Sequence, residues 1–117
     1  MSRLFGLRMD QNQKERELAE LQACQRELGQ LQDEMIQQRT SVKQPELSPI
    51  TWHGERANTF NDVREDMTDA YRDISHTQMN RALDRIESEI SRIRYEIHSL
   101  DQQIAAERRR MAKEEGA

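Results

Sequence analysis

The residues able to do chemistry are few and scattered. His53, His76 and His98 are well separated in sequence. No two of them, and no histidine with a carboxylate, have a recognised metal-binding spacing. Cys24 is the single cysteine, so no intrachain disulfide can form. Its spacing from Leu21, Leu28 and Leu31 puts it on an apolar helix face, where a small buried hydrophobe is the expected role. The serines and threonines lack a histidine or lysine partner motif for nucleophilic attack. Four glycines leave little material for a phosphate-cradling loop. The carboxylates fall on solvated helix faces. The expectation is a protein that is not an enzyme and holds no metal or cofactor.

Composition points the same way. Of 117 residues, 34% are hydrophobic, 34% charged and 4% aromatic. That balance suits long helices burying a narrow stripe better than a globule with a broad core. Net charge is −4, with both signs interspersed. No basic block tracks a phosphate backbone, so nucleic-acid binding is not expected. The cluster Arg108-Arg109-Arg110 suits the end of a helix, where cations meet the negative pole of the dipole. No apolar run is long enough to insert into a membrane. The start, with Leu4, Phe5 and Leu7 bracketed by Arg3, Arg8 and Asp10, is not a signal peptide. The expected location is the cytoplasm, with any export proceeding without a cleaved signal.

Two helices must carry these residues. Leu21, Leu28, Met35 and Val42 recur by sevens, with Cys24 and Leu31 between them and Leu18 widening the stripe. Pro45 and Pro49 interrupt the pattern. A second stripe holds Phe60, Val63, Met67, Ala70, Tyr71 and Ile74. A third, stricter one holds Leu83, Ile86, Ile90, Ile93, Ile97, Leu100, Ile104 and Met111. The second and third are offset by two residues, because seven beyond Ile74 is Arg81. With neither Pro nor Gly near residues 75–82, a continuous helix with a rotated face is expected. The reading is all-α: one antiparallel two-helix hairpin with coiled-coil-like packing. Helix 1 spans about 13–42, the turn 43–53 and helix 2 about 54–113. Residues 1–12 are ambiguous, since Gly6 interrupts a short apolar group.

The hairpin seam is expected to join Leu21, Cys24, Leu28, Leu31 and Met35 to Val63, Met67 and Ile74. The lengths differ. Helix 1 is about 42 Å and helix 2 about 87 Å at 1.5 Å per residue. Folded back, helix 1 reaches only to about residue 85–90 by that rise, or a little further if the N-terminal segment is helical. The stripe from Leu83 to Ile104 then lies largely beyond it and needs a partner helix. The flanking Glu87, Glu89, Arg94, Glu96 and Asp101 do not choose between self-pairing and a different partner.

The turn holds the only Trp. Trp52-x-Gly54, followed by Ala57, Phe60 and Arg64, resembles the W-x-G helical-hairpin proteins of type VII (ESX-like) secretion. The resemblance is closer to the YwqH-like group encoded beside LXG polymorphic toxins, where Ala, Phe and Arg stand five, eight and twelve residues after the Trp. It covers most of the chain, while the motif covers about thirteen residues. The resemblance implies a chaperone or targeting adaptor that binds the helical N-terminal domain of an LXG toxin, together with a second small helical partner protein. Secretion signals in this superfamily often place an aromatic four residues before an acid. Here Phe60, Tyr71 and Tyr95 are followed at that distance by Arg64, Ser75 and Ser99, which favours an adaptor over an exported substrate. The alternatives are a self-associating coiled-coil structural protein, or a small exported W-x-G substrate.

Overall fold

A computed structural model describes residues 2–42 and 55–116. The described chain is entirely helical and folds as a helical hairpin. Helix α1 spans Ser2–Val42. Helix α2 spans Glu55–Arg72 and passes through a π-helical segment, Asp73–Gln78, into α3, Met79–Gly116. The expected turn, 43–53, lies outside the described residues, as do Trp52 and Gly54.

Helix α1 begins at Ser2, not near Gln13. Its composition explains the extension, since Leu, Arg, Met and Gln are strong helix formers and outweigh one glycine costing about 1 kcal/mol. A Cβ added at Gly6 would meet nothing within 4 Å, so no tight packing demands a glycine there.

The contacts resolve into two compact units. The first combines Met1–Gln25 with Arg85–Ala117. Leu4, Leu7, Gln11, Lys14, Leu18 and Leu21 are turned inward on α1. On α3 the seam holds Ile90, Ile93 and Ile104, all less than 9% exposed, with Ile86, Ile97, Leu100 and Met111 half-buried. Each isoleucine so buried contributes roughly 1.5–3 kcal/mol. Arg3 meets Glu107, Gln11 meets Asp101 and Lys14 meets Glu96. As one number rises the other falls, so the pair is antiparallel. The stripe from Ile86 to Ile104 is therefore covered within the chain. The length argument that left it open fails because the segment 2–12 is helix.

The second unit, Arg26–Asp84, is built differently. Its inward residues on α1 are Leu28, Gln32, Met35 and Arg39; facing them are Arg64, Thr68 and Tyr71 on α2 and Ser75 in the π segment. Polar residues thus hold many of the inward positions. Of the expected seam, Leu28 and Met35 lie there, and Leu21 lies in the first unit's seam. Leu31, Val63, Met67 and Ile74 are exposed by 42–55%, and Cys24 is exposed too. The reason is register. On α1 the inward row runs through Leu18, Gln25 and Gln32, one residue beyond Cys24 and Leu31. From α2 into the π segment it runs through Thr68 and Ser75, one residue beyond Met67 and Ile74.

The π segment explains the break in periodicity. Arg64, Thr68, Tyr71 and Ser75 extended by sevens would put Gln78 inward. Instead Gln78 is exposed and Met79 is buried at 9%. A π turn holds one extra residue, which moves the inward face one position along the chain. The helix is continuous and its face rotates, but by one residue, because the true inward row on α2 is not the apolar one.

Ile93→Ala is expected to lower unfolding stability in urea by about 2–5 kcal/mol through the cavity it leaves. Met67→Ala is expected to change it by less than about 0.5 kcal/mol. Circular dichroism at the helical minimum checks both.

Candidate functional site

Phe60 and Arg64, two members of the turn motif, stand one helical turn apart on α2. The Arg64 guanidinium lies 4.9 Å from the centre of the Phe60 ring. That separation is within cation–π range, which explains in physical terms why the two residue types sit four apart. Ala57 lies on the same helix.

Polar side chains set the seam of the second unit. Gln32 Nε2 donates to the Ser75 carbonyl at 2.9 Å and to Asn80 Oδ1 at 2.7 Å. Ser75 is fully buried and lies within the π segment. A single glutamine amide therefore spans the stretch where the helix changes pitch. Tyr71 donates its hydroxyl to Gln38 Oε1 at 3.0 Å. Thr68 donates to the Arg64 carbonyl at 2.9 Å, one turn back. Ser75 Oγ lies 3.0 Å from His76 Nδ1, and Ser75 is fully buried. Apolar spacing alone does not place Gln32, Arg64 or Thr68 in a seam. The signal that finds them is the unbroken three–four spacing once polar positions are admitted.

The first unit is pinned by charge. Glu107 is 5% exposed and is held by Arg110 at 2.5 Å and Arg3 at 3.5 Å. The Arg110 hydrogen bond, then the Arg110 and Arg3 charges, hold its carboxyl below the ordinary glutamate value of 4.5. Glu96 Oε2 is shielded from solvent and has no well-aligned hydrogen bond, but the Lys14 ammonium lies 2.9 Å away. That contact leads the lowering of the Glu96 pKa and the raising of the Lys14 pKa. Glu96 and Asp101 were ambiguous as flanking charges; both meet α1 of the same chain. Arg110 also pairs with Glu114, so the triple-arginine cluster is partly neutralised along its own helix.

What the structure leaves open is an apolar row that runs along α2 into the π segment. Val63, Met67 and Ile74 are exposed by 51%, 55% and 42%, and Ala70 is exposed between them. Phe60, at 42%, continues the row toward the turn. Their spacing is that of a coiled-coil seam, directed away from the Thr68–Ser75 face. Scattered exposed hydrophobes need no explanation, but a regular row does. The stripe from Leu83 to Ile104 that was expected to serve partners is the chain's own core. Among the described residues no group of histidines, cysteines and carboxylates could hold a metal. No described helix is long and apolar enough to cross a membrane.

The fold and this row define a helical-hairpin protein with a second, outward seam. The sequence model of the YwqH-like family matches residues 5–113, and the chain belongs to that family. No curated protein and no solved structure matches.

Two outcomes follow from the polar contacts. Gln32→Ala is expected to destabilise the hairpin by about 1–3 kcal/mol, since the buried Ser75 carbonyl loses its side-chain donor. Hydrogen exchange should speed up at 73–80 more than at 90–104. The lowered pKa of Glu107 gives stability that is full above pH 4.5 and lost as pH falls through the depressed value. Denaturation of Glu107→Gln across pH should therefore show its deficit at neutral pH, shrinking on acidification.

Proposed function

We propose that this protein is a non-enzymatic partner, acting as chaperone or targeting adaptor, for the helical N-terminal domain of an LXG toxin in type VII secretion. Membership of the YwqH-like family supports the partner class. The W-x-G spacing of Trp52, Gly54, Ala57, Phe60 and Arg64 supports the secretion link. The observation that carries the reading is the outward heptad row of Val63, Met67, Ala70 and Ile74. A helix seam in water is incomplete, and each of its large residues gains roughly 1.5–3 kcal/mol when covered. An amphipathic helix laid along the row is the complementary shape, read through anchors at three–four spacing. Binding takes place in the cytoplasm before export, and a second small helical protein completes the assembly.

The test is co-expression with the N-terminal domain of the LXG toxin encoded nearby, followed by size exclusion. Wild type should co-elute with the toxin domain. Met67→Glu/Ile74→Glu should lose the complex while keeping its own helical spectrum, because both residues are exposed. An intact complex with that variant would remove the row as the interface. Ile93→Glu is unsuitable as a probe, since it would bury a charge in the seam.

A further inference from the structure

The exposed row is bordered by acid along its own helix and, at its Ile74 end, by acid on α1. On α2 and the first turn of the π segment, Asp62, Asp66, Asp69 and Asp73 each precede a member of the row by one residue: Val63, Met67, Ala70 and Ile74. They therefore form a parallel line one step around the helix. All four are exposed, and Asp62, Asp66 and Asp69 form no ion pair among the described residues. Asp73 accepts a hydrogen bond from Gln78 Nε2 at 2.7 Å and remains a carboxylate on the surface.

The other border comes from α1. Leu31 precedes the inward Gln32 by one residue, as Met67 precedes Thr68 and Ile74 precedes Ser75. In an antiparallel pair, positions just before such matching seam residues lie on the same side of the seam. Leu31, 45% exposed, therefore belongs to the same apolar strip as Met67 and Ile74. Outside it on α1 stand Glu27 and Glu34, both exposed and one turn to either side of Leu31. The second unit thus has an apolar strip with carboxylates along its α2 edge and, from Ile74 to Leu31, along its α1 edge as well.

This arrangement selects an occupant. A second copy of the chain, docked by the same face, would bring carboxylate walls against carboxylate walls, and like charges at close range oppose pairing. We infer that the strip takes an amphipathic helix whose apolar stripe is flanked on both sides by Lys or Arg. The inference rests on the partner-binding reading and adds the charge rule by which the partner is chosen. The apolar row supplies the affinity. The carboxylates steer approach and reject helices with acidic flanks.

The test uses the full chain and two fluorescein-labelled three-heptad peptides. Both carry Leu and Ile at the stripe positions; one is flanked by Lys and the other by Glu. Anisotropy should show the Lys-flanked peptide binding at least about tenfold more tightly. Asp66→Lys/Asp69→Lys should erase or invert that preference, whereas Glu87→Lys in the first unit should leave it unchanged. Met67→Glu should weaken the Lys-flanked peptide despite its added negative charge. Equal binding of the two peptides, or a preference untouched by Asp66→Lys/Asp69→Lys, would overturn the charge rule. A wild-type dimer in light scattering that Met67→Glu converts to monomer would overturn it in favour of a second copy. The readings fail separately. A chain that obeys the charge rule but forms no complex with the toxin domain refutes only the toxin assignment. A toxin complex indifferent to Asp66→Lys/Asp69→Lys refutes only the charge rule.

Discussion

Everything in this molecule depends on how polar side chains fix the register of two long helices. A seam of leucine and isoleucine alone permits sliding by a heptad, because one apolar layer resembles the next. Gln11 on Asp101 and Lys14 on Glu96 remove that freedom in the first unit, and Gln32 on Ser75 and Asn80 does so in the second. Polar groups at seam positions lower stability and raise specificity. Here they also decide which residues are left facing out.

The two units divide the work. The first concentrates isoleucine in its seam and closes it with the Arg3–Glu107–Arg110 cluster. The second uses Gln32, Arg64, Thr68 and Tyr71 where the first uses aliphatics. Less apolar burial means less stabilisation. The apolar residues missing from that seam are not missing from the chain. They stand on the outer side of α2 as Val63, Met67 and Ile74.

The helical class, the two-segment organisation and the stripe from Leu83 to Ile104 were legible in the sequence, because seven-residue spacing of Leu and Ile survives any choice of partner. The seam of the second unit was not. A search for apolar periodicity passes over Gln32, Arg64 and Thr68 and settles on Leu31, Met67 and Ile74, one residue away. It therefore finds a true stripe and assigns it to the wrong side. The cover of the Ile86–Ile104 stripe was hidden for another reason. Gly6 obscured a helix that begins at Ser2, and the missing turns are those that carry Leu4, Leu7 and Gln11. The π segment showed itself only as a mismatch of registers, since no proline or glycine marks it. Trp52 and Gly54 pointed to the family without lying among the described residues.

The π segment from Asp73 to Gln78 has a consequence for how such a chain can change over time. One residue of helix is about 100° of rotation. A single insertion or deletion between Ile74 and Met79 would therefore swing Val63, Met67 and Ile74 together around the axis, toward α1 or away from it, without altering any side chain. Substitution is gradual on this surface, whereas a change of length is abrupt. The count of residues between the turn and Met79 is itself an inherited character. The π turn already holds one residue more than an α-helix would over the same stretch, and the fold accommodates it.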